Sequence, residues 1–198
     1  MRKSIYYLIF VLCLVSFSGC VSNHSNDYEK THVKNVIIMI PDGMSLGGYT
    51  LARWYNGGEE LQMDSLACGL VRTHCSDSVI TDSAPAATAY ATGFKSQTGY
   101  IGVLPAKATL PGAESLNGKN SDGIPVANVM EAARLKGLST GIVSTCEFMH
   151  ATPAGFSAHY PDRNNYNMLS EQQIYSGIDV VFGGGQKFLK PEERADKE

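Results

Sequence analysis

The sequence has no excess of positive charge and few cysteines, and each shortage argues against a class of function. Its 16 Lys and Arg residues are outnumbered by 19 Asp and Glu residues, for a formal net charge of −3. This balance gives no electrostatic reason to expect nucleic acid as a partner. The 5 cysteines include no Cys-x-x-Cys pair, so nothing supports a zinc ribbon. With 43% hydrophobic residues, the 198-residue chain can still form one domain with a sizeable core.

Long apolar runs are also missing, apart from one near the amino terminus. Residues 5–17 are apolar but too short for a usual membrane span, and they follow Arg2 and Lys3. This combination predicts a signal peptide over residues 1–19. The run leads into Phe-Ser-Gly-Cys, which resembles the lipobox of bacterial lipoproteins and predicts lipid attachment at Cys20. We therefore expect an exported chain, anchored to a membrane by lipid, in the periplasm or cell envelope. Secretion without lipid stays open, because phenylalanine replaces the usual leucine of the lipobox.

Residues 20–32 are polar and predict a flexible tether. Three cysteines follow it, namely Cys68, Cys75 and Cys146. A disulfide between Cys68 and Cys75, which are nearest in sequence, and unpaired buried cysteines are both open.

Strand and helix signals alternate from residue 33 onward. Apolar runs predict strands over residues 36–40, 68–73, 140–144 and 178–182. Helical spacing and capping residues predict helices over residues 46–55, from Ser83 onward, over 125–136 with an apolar core stripe, and over 170–175. Residues 106–123 predict a surface loop. Such alternation predicts an α/β fold with a mostly parallel central sheet and helices on both faces.

The most informative segment is residues 81–93, Thr-Asp-Ser-Ala-Pro-Ala-Ala-Thr-Ala-Tyr-Ala-Thr-Gly. Asp82 or Ser83 can cap a helix there, Pro85 is tolerated in its first turn, and Gly93 is a stop signal. A hydroxyl at this end of a helix faces free N–H groups and the positive end of the dipole, which suits phosphate. Taken alone, the segment is better explained by a capped helix without further function.

Two other segments place polar residues at the ends of predicted strands. Pro-Asp-Gly follows residues 36–40, which puts Asp42 at the edge where open α/β sheets bind ligands. His-Ala-Thr-Pro-Ala follows the strand at 140–144, and its Thr-Pro-Ala is an N-cap signature. We therefore expect His150 and Thr152 in the loop that leaves this strand. Each of these residues alone is more often an ordinary turn or capping residue.

Together, in order and spacing, the three segments resemble the alkaline phosphatase family. The resemblance rests on a strand ending in Asp-Gly-Met, on the Thr-Asp-Ser-Ala-x-x-Ala-Thr-Ala helix start, and on the His-Ala-Thr-Pro-Ala-Gly-x-x-Ala-His run followed by arginine. It covers roughly residues 33–189, including a strand and glycine loop at 178–185. It implies that residues 33–198 are the N-terminal part of a catalytic domain with the family's α/β fold, incomplete at the C-terminus.

The resemblance also implies roles for single residues. Ser83 would be the nucleophile that forms a phosphoserine intermediate, and it would bind one zinc ion. Asp42 would bridge that zinc and a magnesium ion, and Thr152 would bind the magnesium. Arg163 would clamp the phosphate oxygens, with Asp82 positioning its guanidinium. These residue types suit the chemistry, because phosphoryl transfer depends on an activated nucleophile, cations and a planar arginine fork.

The resemblance leaves the metal site incomplete. His150 stands where one branch of the family has aspartate, and imidazole suits zinc-like ions better than magnesium, so the identity of the third metal is open. The family's remaining ligands lie beyond the three segments. We expect His74 and His159 to be ordinary core or surface residues. The isolated 198-residue chain is therefore expected to be inactive or nearly so.

The implied function is metal-dependent hydrolysis of small-molecule phosphate monoesters, with zinc and magnesium as cofactors. In a full-length form the resemblance also allows a homodimer, since dimers are frequent in the family. A phosphodiesterase or sulfatase of the same superfamily is one alternative. A truncated, non-catalytic exported lipoprotein is the other.

Overall fold

The computed structural model describes residues 33–106, 108–110 and 122–190, which fall into two units divided after Ile40. The predicted signal peptide, the lipid site at Cys20, the tether and most of the predicted surface loop lie outside these ranges. No helix in the described ranges is both long enough and apolar enough to cross a membrane.

The described part of the first unit, residues 33–40, contains no strand, so the strand predicted over residues 36–40 is wrong. The side chains of Val36, Ile37 and Met39 are 77%, 86% and 87% exposed. A buried parallel strand exists only between neighbouring strands. An apolar run indicates that a segment favours such a strand, but it does not provide the strands that must pair with it.

Among the described residues of the second unit, two parallel strands form a sheet. Strand β1, Gly141–Glu147, pairs with β2, Val180–Gly184, so that Gly141 lies opposite Val180. Parallel pairing joined through helices confirms the α/β class. The strand at 140–144 is confirmed and extends to Glu147, whereas residues 68–73 are irregular and form no strand, which corrects that prediction.

Five α-helices are present in the described residues: α1 (Leu46–Tyr55), α2 (Ser83–Thr92), α3 (Val129–Leu135), α4 (Ala151–Ala154) and α5 (Tyr166–Tyr175). Short 3₁₀ turns follow at Asp64–Leu66 and Gln186–Phe188. The bounds of α1 are those predicted.

The ends of α2 follow from its sequence as predicted. The Asp82 carboxylate caps the helix by accepting a hydrogen bond from the Ala84 amide at 2.8 Å. Gly93 ends the helix with φ +80°, a conformation that costs glycine little. Because Ala87 and Ala91 are small and buried, neighbouring elements approach this helix closely.

Three other helix starts differ from prediction, and a side-chain cap explains two of them. Helix α3 begins at Val129 rather than at 125, because the Asn128 side chain accepts from the amides of the first turn. Helix α5 begins at Tyr166 rather than at 170, because Asn165 caps it. Helix α4 begins at Ala151, so Thr152 lies in its first turn instead of in the preceding loop.

The core of the second unit lies where α2, α4, α5 and β1 meet. It consists of Ala84, Ile101, Phe148, Met149, Ala151, Ala154, Ala158 and Leu169. Helix α3 contributes no fully buried residue, so the core stripe predicted for it is only partly covered. Of the two cysteine alternatives, the unpaired one is found: Cys68 is exposed, Cys75 is buried, and both are free.

Candidate active site

Asp42 lies where two hydroxyl-bearing helices meet. The Ser83 hydroxyl donates to Asp42 Oδ1 at 3.1 Å, and the Thr152 hydroxyl donates to Asp42 Oδ2 at 2.7 Å. Ser83 is the first residue of α2, and Thr152 lies in the first turn of α4. The fold therefore brings together three of the predicted site residues, which are 41 and 110 positions apart.

These contacts lower the pKa of the Asp42 carboxyl. The hydrogen bond from Thr152 is the largest cause, and the bond from Ser83 acts in the same direction. The charges of His150 and Arg163 lower the pKa further, while burial raises it. Asp42 is therefore ionised at neutral pH. A carboxylate of this kind is a weak base and a good ligand for a cation.

Arg163 lies beside Asp82 and His150. Its Nη1 is 3.5 Å from Asp82 Oδ2, and its Nη2 is 3.3 Å from His150 Nε2. The pair with Asp82 is longer than a charge-assisted hydrogen bond, so the carboxylate orients the guanidinium without a bidentate bond. The Arg163 and Asp82 side chains are 22% and 28% exposed, which leaves the fork accessible to an anion.

Asp82 holds two pieces of backbone as well as the arginine. Its Oδ1 caps α2 through the Ala84 amide, and its Oδ2 accepts from the Gly99 amide at 3.1 Å. The start of α2 is thereby tied to the loop at residues 97–99. Sequence reasoning missed Gly99, because every residue except proline carries a backbone N–H group, and the sequence gives no signal of which one donates to Asp82.

Tyr166 is a second neighbour that sequence reasoning missed. Its ring meets the His150 ring edge-on, with centroids 6.4 Å apart and planes at 80°. The Phe188 ring also packs edge-on against the Tyr166 ring, with centroids 5.0 Å apart. Burial raises the pKa of the Tyr166 hydroxyl. The aromatic contacts limit the positions of the His150 ring, which faces Arg163.

The donors around Asp42 fit a cation that prefers oxygen ligands. One ionised carboxylate and two hydroxyls are suitable ligands for magnesium, which keeps some of its water when bound to protein. The same donors supply only part of a tetrahedral zinc site. Across the described ranges, no group of three or more His, Cys, Asp and Glu side chains could hold a metal ion.

Comparison with known proteins identifies the family. The family model described as Alkaline phosphatase matches residues 33–198. An alkaline phosphatase of Schizosaccharomyces pombe is 35% identical over 189 residues, covering 90% of this chain and 32% of the yeast protein. Alkaline phosphatase 4 of Bacillus subtilis is 35% identical over 184 residues, covering 84% of this chain and 36% of that protein. The chain thus spans about a third of the length of these curated relatives.

Solved structures give the same result. The alkaline phosphatase of the Antarctic bacterium TAB5 superposes with a TM-score of 0.65 at 28% identity, covering 79% of this chain and 41% of that one. The cold-active alkaline phosphatase of Shewanella sp. has a TM-score of 0.65 at 34% identity, covering 78% of this chain and 37% of that one. Two TAB5 variants, with a histidine changed to aspartate or glutamate, carry Mg in the M3 site.

Proposed function

The chain belongs to the alkaline phosphatase family, and we propose that it supplies the nucleophile and phosphate clamp for metal-dependent hydrolysis of small-molecule phosphate monoesters. The observation that carries the proposal is the convergence of the Ser83 and Thr152 hydroxyls on the Asp42 carboxylate. Arg163 lies next to the same helix start, held near Asp82.

In the first step, Ser83 Oγ forms a bond to phosphorus while the bond from phosphorus to the leaving alcohol oxygen breaks. The phosphoryl group is then on Ser83, and the alcohol leaves with a proton. In the second step, water attacks phosphorus, the bond to Ser83 Oγ breaks, and inorganic phosphate and the serine hydroxyl are released. Two displacements of this kind divide one difficult hydrolysis into two easier steps.

The surroundings of Ser83 favour charge on the phosphoryl group. The residue opens α2, so the positive end of the helix dipole lies at the reacting oxygen. The Arg163 fork can meet two phosphoryl oxygens, and Asp82 fixes its approach. The positions of these groups are set by the fold before substrate arrives, so little reorganisation accompanies charge development.

Asp42 serves as a cation ligand in this proposal, because its lowered pKa makes it a poor general base. Zinc and magnesium, when bound, would lower the pKa of the Ser83 hydroxyl and neutralise charge developing on the phosphoryl oxygens. We assign Ser83 and Asp42 to zinc, and Asp42 and Thr152 to magnesium. The described residues hold only part of such a site, so we expect little or no activity from the 198-residue chain alone.

We assign His150 to a third metal position. Support comes from the TAB5 variants, whose changed histidine accompanies Mg in the M3 site of that enzyme. His150 faces Arg163 through its Nε2, so a cation bound to this nitrogen would compete with the guanidinium. The identity of that metal depends on whether imidazole or a carboxylate is present.

The test follows release of a chromogenic alcohol from a phosphate monoester in the presence of zinc and magnesium. It compares the 198-residue chain with the complete open reading frame of its gene, each beside Ser83→Ala and the matched control Ser78→Ala. We expect the protein encoded by the complete reading frame to hydrolyse the monoester. Ser83→Ala should abolish this activity, and Ser78→Ala should retain it. Equal activity with Ser83→Ala would contradict the nucleophile assignment.

The same assay separates the alternatives. Faster turnover of a phosphodiester or a sulfate ester than of the monoester would favour the related enzyme types. Absence of both hydrolysis and phosphate binding in every form would favour a non-catalytic lipoprotein. We also propose that the protein encoded by the complete reading frame is a homodimer, and size-exclusion chromatography of that protein tests this.

We further propose that the chain is exported and anchored by lipid at Cys20. The proposal rests on the basic start, the apolar run and the Phe-Ser-Gly-Cys sequence that follows it. Labelled fatty acid should be incorporated into the wild type and into Cys13→Ser, but not into Cys20→Ser. Label retained in Cys20→Ser would contradict lipidation at that residue.

A further inference from the structure

His159, which the sequence predicts to be an ordinary core or surface residue, has hydrogen-bond partners at both ring nitrogens. Its Nδ1 is 2.7 Å from the Gly102 carbonyl oxygen, and its Nε2 is 2.9 Å from Glu131 Oε1. A carbonyl oxygen only accepts, so Nδ1 carries a proton and donates it. The His159 amide donates to Gln172 Oε1 at 2.8 Å, and its carbonyl accepts from Gln172 Nε2 at 3.1 Å. Four polar contacts, two of them with Gln172, therefore hold His159 in place.

The position of Gly102 leaves no space for a side chain. A Cβ atom there would lie 2.2 Å from the Ala158 carbonyl oxygen and 2.7 Å from His159 Nδ1, and φ is +61°. No other residue type fits this position without displacing backbone. The Gly102 amide donates to Thr88 Oγ1 in α2 at 2.9 Å. Residues 99–103 are thus attached to α2 on one side and to His159 on the other.

The backbone of Arg163 depends on this loop. Ile101 and Tyr160 exchange two backbone hydrogen bonds, at 2.9 Å and 2.8 Å. The Arg163 amide then donates to the Gly99 carbonyl at 2.8 Å. The Gly99 amide in turn donates to Asp82, whose carboxylate faces the Arg163 guanidinium. The register of these two segments therefore determines where the guanidinium lies.

We propose that His159 is a positioning residue for Arg163, and that its Nδ1–H bond to Gly102 fixes the register of residues 159–163 against residues 99–103. This inference rests on the proposed role of Arg163 as phosphate clamp. His159 touches neither the nucleophile nor the proposed phosphate position. It acts at a distance of four residues along the chain, through backbone pairing.

A purely structural role would run through the other nitrogen. Glu131 completes the capping box of α3 by accepting from the Asn128 amide at 2.8 Å, so the contact with His159 Nε2 attaches α3 to this region. The two contacts can be separated by substitution. In His159→Asn the side-chain NH₂ group takes the place of Nδ1, and in His159→Gln it takes the place of Nε2.

The first measurement is the dissociation constant of inorganic phosphate for the full chain, by calorimetry. We expect His159→Gln, which loses the bond to Gly102, to weaken phosphate binding by roughly threefold to tenfold. His159→Asn, which retains that bond, should stay close to wild type. Equal weakening in both variants, or weakening in His159→Asn alone, would overturn the proposal.

The second measurement is backbone amide exchange, which does not depend on phosphate. Exchange of the Arg163 amide should accelerate in His159→Gln relative to the Leu169 amide in α5, and should be unchanged in His159→Asn. Glu131→Gln provides a further check should a histidine variant fail to fold, because it changes the Nε2 contact and the α3 capping box but leaves the Nδ1 bond to Gly102 in place. Faster Arg163 exchange in Glu131→Gln would favour the purely structural role.

The outcomes distinguish this inference from the proposed function. If the wild type binds phosphate and Arg163→Ala binds it equally well, the clamp assignment fails. If the wild type binds no phosphate at all, the proposed function loses its support in this chain. In either case the exchange of the Arg163 amide still decides whether His159 positions that residue.

Discussion

Gly155, the C-cap of α4, lies against Ala87 in α2 with no room for a side chain between them. A Cβ atom at 155 would lie 2.6 Å from Ala87 Cβ and 3.0 Å from the Ala87 carbonyl carbon. Since α2 begins with Ser83 and α4 contains Thr152, this contact sets the separation of the two hydroxyls that Asp42 accepts. Packing of two small residues thereby controls the geometry of the site.

Gly155→Ala should destabilise the protein, because the nearest atoms include backbone that cannot move aside cheaply. Overpacking of this kind costs about 1–3 kcal/mol in the free energy of unfolding. Urea unfolding of the full chain measures it, with Gly69→Ala as the control, since a Cβ atom at 69 meets nothing within 4 Å. Equal stability of the two variants would show that the helices separate without cost.

Thr152→Val should raise the pKa of Asp42. The hydroxyl of Thr152 is the largest cause of the lowered pKa, and valine has nearly the same shape without the hydroxyl. Titration of the Asp42 carboxyl by NMR in the metal-free chain measures the change. Thr50→Val, which removes a hydroxyl bonded within α1, is the control and should leave this pKa unchanged. A larger rise in Ser83→Ala than in Thr152→Val would contradict the ranking of the two bonds.

Glu131 should contribute to stability at neutral pH and lose that contribution in acid. Its pKa is lowered by hydrogen bonds from the Asn128 amide and from His159, against the opposing and largest effect of burial. A depressed carboxyl pKa stabilises the fold above the unfolded value, which is about 4.3, and the contribution disappears as pH falls through the folded pKa. Glutamine cannot ionise, so Glu131→Gln lacks this contribution.

Urea unfolding of the wild type and Glu131→Gln from pH 7 to about pH 3 tests this prediction across the acid titration range. The difference in unfolding free energy should be largest at neutral pH and should shrink as the wild-type carboxyl takes up its proton. A difference that stays constant with pH would mean that the ionised form of Glu131 makes no contribution.

Elements specified by local signals were predictable from the sequence, and α2 is the clearest case. Its cap, its tolerated proline and its terminal glycine all lie within the helix or next to it, so neighbours in sequence are sufficient. The strands predicted over residues 36–40 and 68–73 failed for the opposite reason. A strand is defined by its partner, and an apolar run does not specify one.

The proximity of Asp42, Ser83 and Thr152 was predictable from the order of the sequence motifs more than from physical reasoning. Asp42 and Thr152 are 110 positions apart, and no helical or strand periodicity relates them. The resemblance placed them at one site, and the fold brings them to 2.7 Å. The contacts of the candidate site that the sequence did not predict are made by backbone groups and aromatic rings. The amide of Gly99 and the ring nitrogens of His159 gain importance only from what the fold places opposite them.

His150→Asp should increase the affinity for magnesium, provided that His150 occupies the proposed third metal position. An imidazole nitrogen suits zinc-like ions, whereas a carboxylate adds a charged oxygen ligand that magnesium prefers. The carboxylate introduced by His150→Asp would also pair with the Arg163 guanidinium, whose Nη2 lies 3.3 Å from His150 Nε2. A carboxylate that divides its charge between the arginine and the cation binds the cation less tightly. We therefore expect a gain of only roughly tenfold.

Calorimetric titration of the full chain with magnesium at neutral pH measures this gain. Asn56→Asp is the matched control, because it adds the same negative charge at the exposed end of α1. That charge is largely screened at moderate salt, so its effect on magnesium affinity should be negligible. Equal gains in the two variants would mean that net charge alone attracts the cation. No gain in His150→Asp would contradict the assignment of His150 to the third metal position.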